Sequence, residues 1–200
     1  MSTIILASAS PRRAELLRQI GVTFSVQPAH VDETPQPNES ADHYVERLAR
    51  DKALAIAATA PGATVLGSDT SVVFEGRILG KPTDRDEAVA TLQQLSGHSH
   101  QVMTAVALAR DSRCESRVVT TEVRFRALSL DEIKAYVGSG EPMDKAGSYG
   151  IQGLGGIFVS GLRGSYSAVV GLPLQETADL LADAGHPFWK NWPNSLESRT

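Results

Sequence analysis

The sequence Thr3-Ile-Ile-Leu-Ala-Ser-Ala-Ser-Pro-Arg-Arg13, followed by Ala14-Glu-Leu-Leu-Arg-Gln-Ile20, decides how the fold begins. The apolar start of the first stretch predicts a buried strand, and the helical spacing of the leucines and isoleucine in the second predicts an amphipathic helix. Ser10 suits the N-cap of that helix, Pro11 suits its first position and Gly21 suits its end. The segment therefore predicts a strand, a short serine-containing loop and a helix.

Arg12 and Arg13 fall in the first turn of this predicted helix. The helix dipole makes that end electropositive, so cations there are unfavourable unless an anion neutralises them. The guanidinium groups, the hydroxyls of Ser8 and Ser10 and the free backbone N–H groups together have the chemistry of a phosphate site. The alternative is a solvated helix start whose arginines point into water, and this stretch alone leaves both interpretations open.

Length, charge and cysteine content limit the class of protein. The 200 residues suit one domain of two lobes over 1–185, followed by a loosely ordered tail over 186–200. The net charge of −4 argues against nucleic-acid binding, and no apolar run is long enough to span a membrane. The single cysteine, Cys114, excludes an internal disulfide. With no recognisable signal peptide, we expect a cytoplasmic protein.

A lysine interrupts the apolar stripe of a long predicted helix. The helix runs from about Ser40 to Thr59, and its stripe contains Val45, Leu48 and Ile56. Lys52 lies on the same stripe. Its ammonium group either snorkels out to solvent or reaches into a cleft to meet an anion.

A carboxylate lies inside a predicted β segment. Ala63 to Phe74 predicts two strands separated by a break at Gly67, and Asp69 falls among their apolar residues with Ser68 and Thr70 beside it. A buried carboxylate must be paired, hydrogen-bonded or bound to metal. Asp69 could instead tie down a turn through backbone N–H groups. We favour the functional interpretation because apolar residues lie on both sides.

The remaining pattern predicts alternating strands and helices, with tight turns between them. A proline-rich loop carrying Asp32 and Glu33 precedes the long helix. The other predicted elements are a strand at 22–26, a turn at 75–76, a strand at 77–79, a helix with a capping box from Thr83 to Asp86, strands at 101–109 and 117–125, a helix with a capping box from Ser129 to Glu132, a strand pair spanning 157–170, and a final helix from Pro173 ended by Gly185.

The stretch Asp144 to Gly156 contains five glycines. Glycine at this density indicates close backbone approach or positive φ. The spacing matches neither a Rossmann fingerprint nor a P-loop. Lys145, Ser148 and Gln152 would supply polar groups on this tight backbone.

The charged residues singled out along the chain would make one kind of site if the fold brings them together. Cations would cradle a polyphosphate, and carboxylates would hold Mg²⁺, which bridges phosphate oxygens and acidifies a bound water. Asp69 would then deprotonate that water. The cations are Arg12, Arg13, Lys52, Lys81 and Lys145, and the acids are Asp32, Glu33 and Asp69.

Six motifs in order resemble the Maf family, over about Ile4 to Leu181. They are Ala-Ser-Ala-Ser-Pro-Arg-Arg13, Val-Asp-Glu33, Arg50-Asp-Lys52, Gly-Ser-Asp-Thr70, Gly-Lys-Pro82 and Lys-Ala-Gly-Ser-Tyr-Gly-Ile-Gln-Gly153. The resemblance implies a mixed α/β fold, in which a strongly bent sheet with flanking helices forms two lobes around a central substrate cleft. It also implies a homodimeric, metal-dependent nucleoside triphosphate pyrophosphatase that uses Mg²⁺ or Mn²⁺.

By the same resemblance, Asp69 would be the catalytic proton acceptor, and Glu33 and Asp69 would bind the metal. Phosphate would be bound by Ser8, Arg13, Lys52 and Lys81. Arg12, Thr70 and Gln152 match the family branch that acts on dTTP and UTP, whereas a sister branch that acts on 7-methyl-GTP carries Trp, Gln and Glu at these positions. A glutamine offers a donor and an acceptor to the O4/N3–H edge of a pyrimidine. Uracil and thymine differ by one methyl group, so 5-methyl-UTP and pseudo-UTP are further expected substrates.

Two other functions compete with this interpretation. The family is also associated with inhibition of septum formation, so the chain could be a nucleotide-binding regulator of cell division. Such a regulator needs no catalytic acid, which makes Asp69 and Glu33 arguments against it. A general phosphatase that releases orthophosphate is the other alternative, and the identity of the product separates the two enzymes.

Overall fold

The structure, a computed structural model, describes residues 3–192. Seven strands and six α-helices alternate in this part of the chain. The strands are β1 (Ile4–Leu6), β2 (Ser25–Val26), β3 (Thr64–Phe74), β4 (Arg77–Leu79), β5 (Ser99–Arg110), β6 (Arg113–Phe125) and β7 (Val159–Arg163). The helices are α1 (Pro11–Gln19), α2 (Ala41–Ala57), α3 (Arg85–Leu95), α4 (Leu130–Gly138), α5 (Tyr166–Val170) and α6 (Leu174–Asp183).

All seven strands form one mixed sheet. Its order is β2-β1-β3-β5-β6-β7, and β4 pairs with the far end of β3. β1 runs parallel to β2 and β3, whereas β3, β5, β6 and β7 are antiparallel neighbours. The predicted mixed α/β class is confirmed, and β3 is the strand on which the parallel and antiparallel parts meet.

Helices cover both faces of this sheet. α2 packs on one face, where Ala49 and Ala53 meet small side chains of β5. On the other face, α1 and α6 pack over one end of the sheet, and α3 and α4 pack over the other end. The buried hydroxyl residue Thr104 and its neighbour Thr70 lie between these two apolar clusters. A cleft opens at this polar gap between the two clusters.

The predicted break at Gly67 is wrong, because β3 continues through it. A Cβ atom at Gly67 would lie 2.2 Å from the carbonyl oxygen of Ala49 and 2.8 Å from the nitrogen of Ala53. The glycine is therefore explained by the close approach of the α2 backbone, and not by a turn.

The predicted strand pair over 157–170 is half wrong. Only β7 forms, and the second half of the segment is α5. Ser165 caps α5 by accepting a hydrogen bond from the backbone N–H of Ala168. The carbonyl oxygen of Ala168 in turn accepts from Thr104 on β5. Tertiary packing thus overrides the β propensity of this valine-containing segment.

The helix starts are largely as predicted. Ser10, Ser40 and Ser129 occupy N-cap positions, and the capping box of Ser129 with Glu132 is confirmed. The box predicted from Thr83 is displaced by one residue, because Asp84 is the N-cap and accepts from the backbone N–H of Glu87. The aspartate side chain fits the N-cap better than a threonine side chain.

The end of the described chain packs against the domain. Phe188 is buried in the cluster under α1 and α6, and the Trp192 indole donates to the carbonyl oxygen of Ile20 over 2.8 Å. The rest of the predicted tail, 193–200, lies outside the described residues. Within residues 3–192, no helix is both long and apolar enough to cross a membrane.

Candidate active site

A cleft of about 920 Å³ opens beside the middle of β3. All nine residues predicted for the site line it, although they come from six separate segments of the chain. They are Ser8, Arg12, Arg13, Glu33, Lys52, Asp69, Thr70, Lys81 and Gln152.

Lys52 joins two carboxylates at the bottom of the cleft. Its ammonium nitrogen lies 2.8 Å from Asp69 Oδ1 and 2.6 Å from Glu33 Oε1. Lys52 and Asp69 are only 8% and 9% exposed, and the close contact of α2 with Gly67 brings them together. Lys52 does not snorkel to solvent, so the second of its two sequence interpretations describes the structure.

The pKa values of the two carboxyl groups, those of Asp69 and Glu33, are shifted in opposite directions. Burial raises the pKa of Asp69 above its ordinary value, and the positive charges of Lys52 and Arg13 only partly oppose this effect. The hydrogen bond from Lys52 lowers the pKa of the more exposed Glu33. Carboxyl groups whose environments separate their pKa values in this way are suited to different roles in one reaction.

α2 also holds the loop that carries Glu33. The Tyr44 hydroxyl donates to the backbone carbonyl of Glu33 over 2.8 Å, and Arg47 pairs with Glu39 over 2.6 Å. The neighbouring Asp32 is exposed and accepts from the backbone N–H of Thr34. Asp32 does not line the cleft, so the structure brings only one of the two adjacent loop acids into it.

Arg13 is anchored before any ligand binds. Nε donates to the carbonyl oxygen of Gly171 over 2.8 Å, Nη1 donates to Ser8 Oγ over 3.1 Å, and Nη2 donates to Thr70 Oγ1 over 3.3 Å. A guanidinium group has five N–H donors. Two therefore have no partner among residues 3–192, on a side chain whose direction is already fixed. Burial lowers the pKa of Arg13, but the group stays charged near neutral pH.

The other predicted cations are held less tightly. Lys81 is exposed at the rim, and Arg12 lies 3.9 Å from Asp144. Lys145 lines the cleft, but its ammonium group donates to the backbone carbonyl of Glu141 over 2.6 Å and to Asp144 over 2.7 Å. Lys145 thus stabilises its own loop, whereas Arg12 and Lys81 present charge to the cleft.

Thr70 presents an oriented hydroxyl group. Thr104 Oγ1 lies 2.7 Å from the carbonyl oxygen of Ala168 and 3.0 Å from Thr70 Oγ1. Thr104 has one hydroxyl hydrogen, and the carbonyl oxygen can only accept it. Thr70 therefore donates to Thr104, accepts from Arg13 and keeps one lone pair for the cleft.

The carboxylates that line the cleft are candidate ligands for a divalent metal. Among the described residues, no group of three or more His, Cys, Asp or Glu side chains could hold a metal ion. Glu33 and Asp69 do converge, because both reach the same Lys52 ammonium group. Mg²⁺ is commonly bound by one or two carboxylates together with substrate phosphates. The residues present fit such a metal, provided that the substrate supplies further ligands.

The groups that support the glycine-rich stretch are not identified by the sequence pattern. The Glu141 carboxylate accepts hydrogen bonds from the backbone N–H groups of Leu154 and Gly155 and from the Tyr136 hydroxyl. His100 contacts the Tyr149 hydroxyl over 2.8 Å behind the cleft. In the sequence, the density of glycines indicates that the backbone closely approaches another group, but it does not identify that group.

The chain is similar to several known proteins. The family model described as Maf-like protein matches residues 3–184. The dTTP/UTP pyrophosphatase of Colwellia psychrerythraea is 56% identical over 187 residues, covering 91% of this chain and 88% of that protein. The dTTP/UTP pyrophosphatase of Aromatoleum aromaticum is 53% identical over 199 residues, covering 92% and 97% respectively. Among solved structures, a HAM1 protein from Coxiella burnetii matches with a TM-score of 0.49 and 16% identity, covering 92% of this chain and 100% of that chain.

Proposed function

This chain belongs to the Maf family, and we propose that it is a pyrophosphatase that converts dTTP and UTP to the nucleoside monophosphate and pyrophosphate. The observation that carries the proposal is the buried Lys52, bonded to both Glu33 and Asp69 in a cleft that Arg13 also lines. Hydrolysis of a phosphoanhydride needs a proton acceptor and cations at fixed positions, and this cluster supplies both. The relatives named dTTP/UTP pyrophosphatase support the choice of nucleotide.

Asp69 is the proton acceptor in this proposal. The oxygen of a water molecule forms a bond to the α-phosphorus, and the bond from that phosphorus to the oxygen bridging to the β-phosphate breaks. Asp69 takes the proton of the water, and pyrophosphate leaves with the bridging oxygen. In the metal-free site, burial raises the pKa of Asp69, which makes it a better base than an ordinary carboxylate.

The phosphates would be held by Arg13, Ser8, Lys52 and Lys81, which line the cleft together. Arg13 contributes most to orientation, because three of its N–H groups are already anchored and two face no partner in residues 3–192. A pre-oriented guanidinium loses little side-chain entropy when it binds phosphate. Lys52 and Lys81 contribute charge to the same end of the cleft.

We include Mg²⁺ or Mn²⁺ in the proposal, held by Glu33 and Asp69 together with phosphate oxygens. When bound, the metal supplies charge neutralisation at the phosphates and acidifies a water. A preference for one of the two metals would be measured directly by titrating each into the product assay.

The base would be read by Thr70, Gln152 and Arg12. Thr70 keeps a lone pair that can accept the N3–H of uracil or thymine, and the exposed amide of Gln152 can donate to O4. Neither contact involves the C5 position, and one methyl group is a weak basis for discrimination. The proposal therefore includes 5-methyl-UTP, and pseudo-UTP for the same reason.

A product assay tests the proposal. Purified protein with Mg²⁺ or Mn²⁺ is incubated with dTTP, UTP, CTP, dATP, GTP and 7-methyl-GTP, and products are separated by chromatography. We expect monophosphate and pyrophosphate from dTTP and UTP. Release of orthophosphate would instead identify a general phosphatase, and binding of dTTP without hydrolysis would favour a nucleotide-binding regulator.

A role in cell division, a homodimer and a cytoplasmic location stay predictions. If a division phenotype exists, we propose that it follows from catalysis. Over-production of Asp69→Asn in cells would then leave septum formation normal, whereas a regulator that only binds nucleotide would still inhibit it.

A further inference from the structure

The glycine-rich stretch wraps around a side chain of the protein itself. Glu141 Oε2 accepts from the backbone N–H of Leu154 over 2.9 Å, and Oε1 accepts from the backbone N–H of Gly155 over 3.1 Å. The Tyr136 hydroxyl donates to Oε1 over 2.9 Å and accepts from the backbone N–H of Gly150 over 3.1 Å. Backbone N–H groups that could have cradled a phosphate are thus occupied by an internal carboxylate.

The glycines are needed for this wrapping. A Cβ atom at Gly153 would lie 2.4 Å from Glu141 Oε2, and one at Gly155 would lie 2.8 Å from the Tyr136 hydroxyl oxygen. A Cβ atom at Gly150 would lie 2.8 Å from Lys145 Cε. At Gly155 the Cβ atom would also lie 2.9 Å from the backbone carbonyl oxygen of Gly150, and at Gly153 it would meet the Glu141 carboxylate, so these two glycines permit the close approach to Glu141 and Tyr136.

Gln152 lies inside the wrapped segment. The backbone is tied at Gly150 on one side of it and at Leu154 on the other. The Gln152 side chain is exposed and lines the cleft. Its amide has no hydrogen-bond partner among the described residues, so what the protein fixes at this position is the backbone from which the side chain extends.

We infer that Glu141 is a positioning residue for base recognition, acting through the backbone that carries Gln152. This inference rests on the proposed function, because it assigns to Gln152 a hydrogen bond with the pyrimidine. Glu141 lies on the cleft wall but is engaged by three protein donors, so it shapes the site without serving as a phosphate or metal ligand.

Glu141→Gln tests the inference. The amide keeps the size of the side chain but places an NH₂ group against at least one of the three donors, which loosens the loop. Binding is measured by calorimetry with two ligands: the dTTP analogue with an imido group between its α and β phosphates, which resists hydrolysis, and inorganic tripolyphosphate, which has no base. We expect analogue binding to weaken about tenfold and tripolyphosphate binding to stay unchanged.

A double-mutant cycle separates positioning from general damage. If Glu141 acts through Gln152, the variant Glu141→Gln with Gln152→Ala binds the analogue no more weakly than Gln152→Ala alone. Glu115→Gln, at an exposed position of β6, is the control and is expected to bind both ligands normally. If Glu141→Gln does not fold, Tyr136→Phe removes one of the three donors with little change in volume and replaces it in the same cycle.

Two results would overturn the inference while leaving the proposed function intact. One is equal weakening for the analogue and for tripolyphosphate, and the other is full additivity in the cycle. Failure of the wild-type protein to bind the analogue at all would overturn the proposed function, and the inference with it.

Discussion

Replacing Gly67 with alanine would force apart the two elements that bring Lys52 to Asp69. The new Cβ would lie 2.2 Å from the carbonyl oxygen of Ala49, and ordinary contact begins near 3.4 Å. The difference, 3.4 − 2.2, is about 1.2 Å, and the obstructing atoms are helix backbone. Because neither a strand in mid-sheet nor a helix backbone can rotate out of the way, we expect α2 to shift as a unit.

The displacement sets the size of the expected effects. Over-packing of a core typically costs about 1–3 kcal/mol of stability, and a clash with backbone atoms lies at the upper end of this range. We therefore expect the free energy of unfolding of Gly67→Ala to be about 3 kcal/mol lower than that of the wild type. Lys52 and Asp69 are now 2.8 Å apart, so a shift of about 1.2 Å breaks their hydrogen bond. A misplacement of this size at an active site lowers activity by about 100-fold.

Urea denaturation and the product assay with dTTP measure the two effects. Gly138→Ala is the matched control, because Gly138 ends α4 and a Cβ there meets nothing within 4 Å. We expect the control to be as active as the wild type and no less stable. If Gly67→Ala matched the control in both measurements, the contact between α2 and β3 would not be what holds the site together.

Three further predictions address the chemistry, the base and the pH dependence. Asp69→Asn keeps the fold, and its activity in the product assay falls by about 10³- to 10⁴-fold; near-normal turnover would remove Asp69 from the mechanism. Arg12→Trp, Thr70→Gln and Gln152→Glu together shift the ranking of substrates from pyrimidines towards 7-methyl-GTP, and an unchanged ranking would show that the base is read elsewhere. Burial lowers the pKa of His100 from 6.5 to about 4, so the unfolded chain binds its proton first and stability falls by about 3 kcal/mol as the pH drops from above 6.5 to 4. In urea denaturation at several pH values, the free energy of unfolding of His100→Gln, which has no titratable group at this position, should fall less steeply towards low pH than that of the wild type. Parallel curves for the two proteins would show that His100 is not the source of this pH dependence.

The sequence could indicate which residues belong to the site, because burying an unpaired charge costs free energy. Lys52 on an apolar stripe and Asp69 inside a strand each require a partner, and the structure makes them partners of one another. Neither position alone identifies the other, since they lie 17 positions apart in the sequence. The sequence shows two buried charges that each need a partner. A fold in which one contact pairs the two charges is strongly favoured.

The wrong predictions of secondary structure arise where contacts with distant parts of the chain decide the outcome, because the local sequence pattern does not show such contacts. Gly67 resembles a strand break, but its meaning depends on the α2 backbone. The segment Tyr166–Val170 has the composition of a strand, yet it is helical, with Ser165 at its N-cap and with Thr104, on a different strand, donating to the carbonyl oxygen of Ala168. Local propensity is weak against such tertiary contacts.

The glycine-rich stretch shows that a correct local inference need not identify the group that the backbone approaches. The density of glycines predicts a close approach of the backbone, and the structure shows that the group approached is the carboxylate of Glu141. A phosphate and a carboxylate make the same demand on a loop, because both are anions that accept from backbone N–H groups. Sequence can therefore predict that a loop approaches another group closely without revealing whether that group belongs to a ligand or to the chain. Under the proposed function, this internal anion would leave Arg13, Lys52 and Lys81 to bind the substrate phosphates, and it would leave the loop to position Gln152.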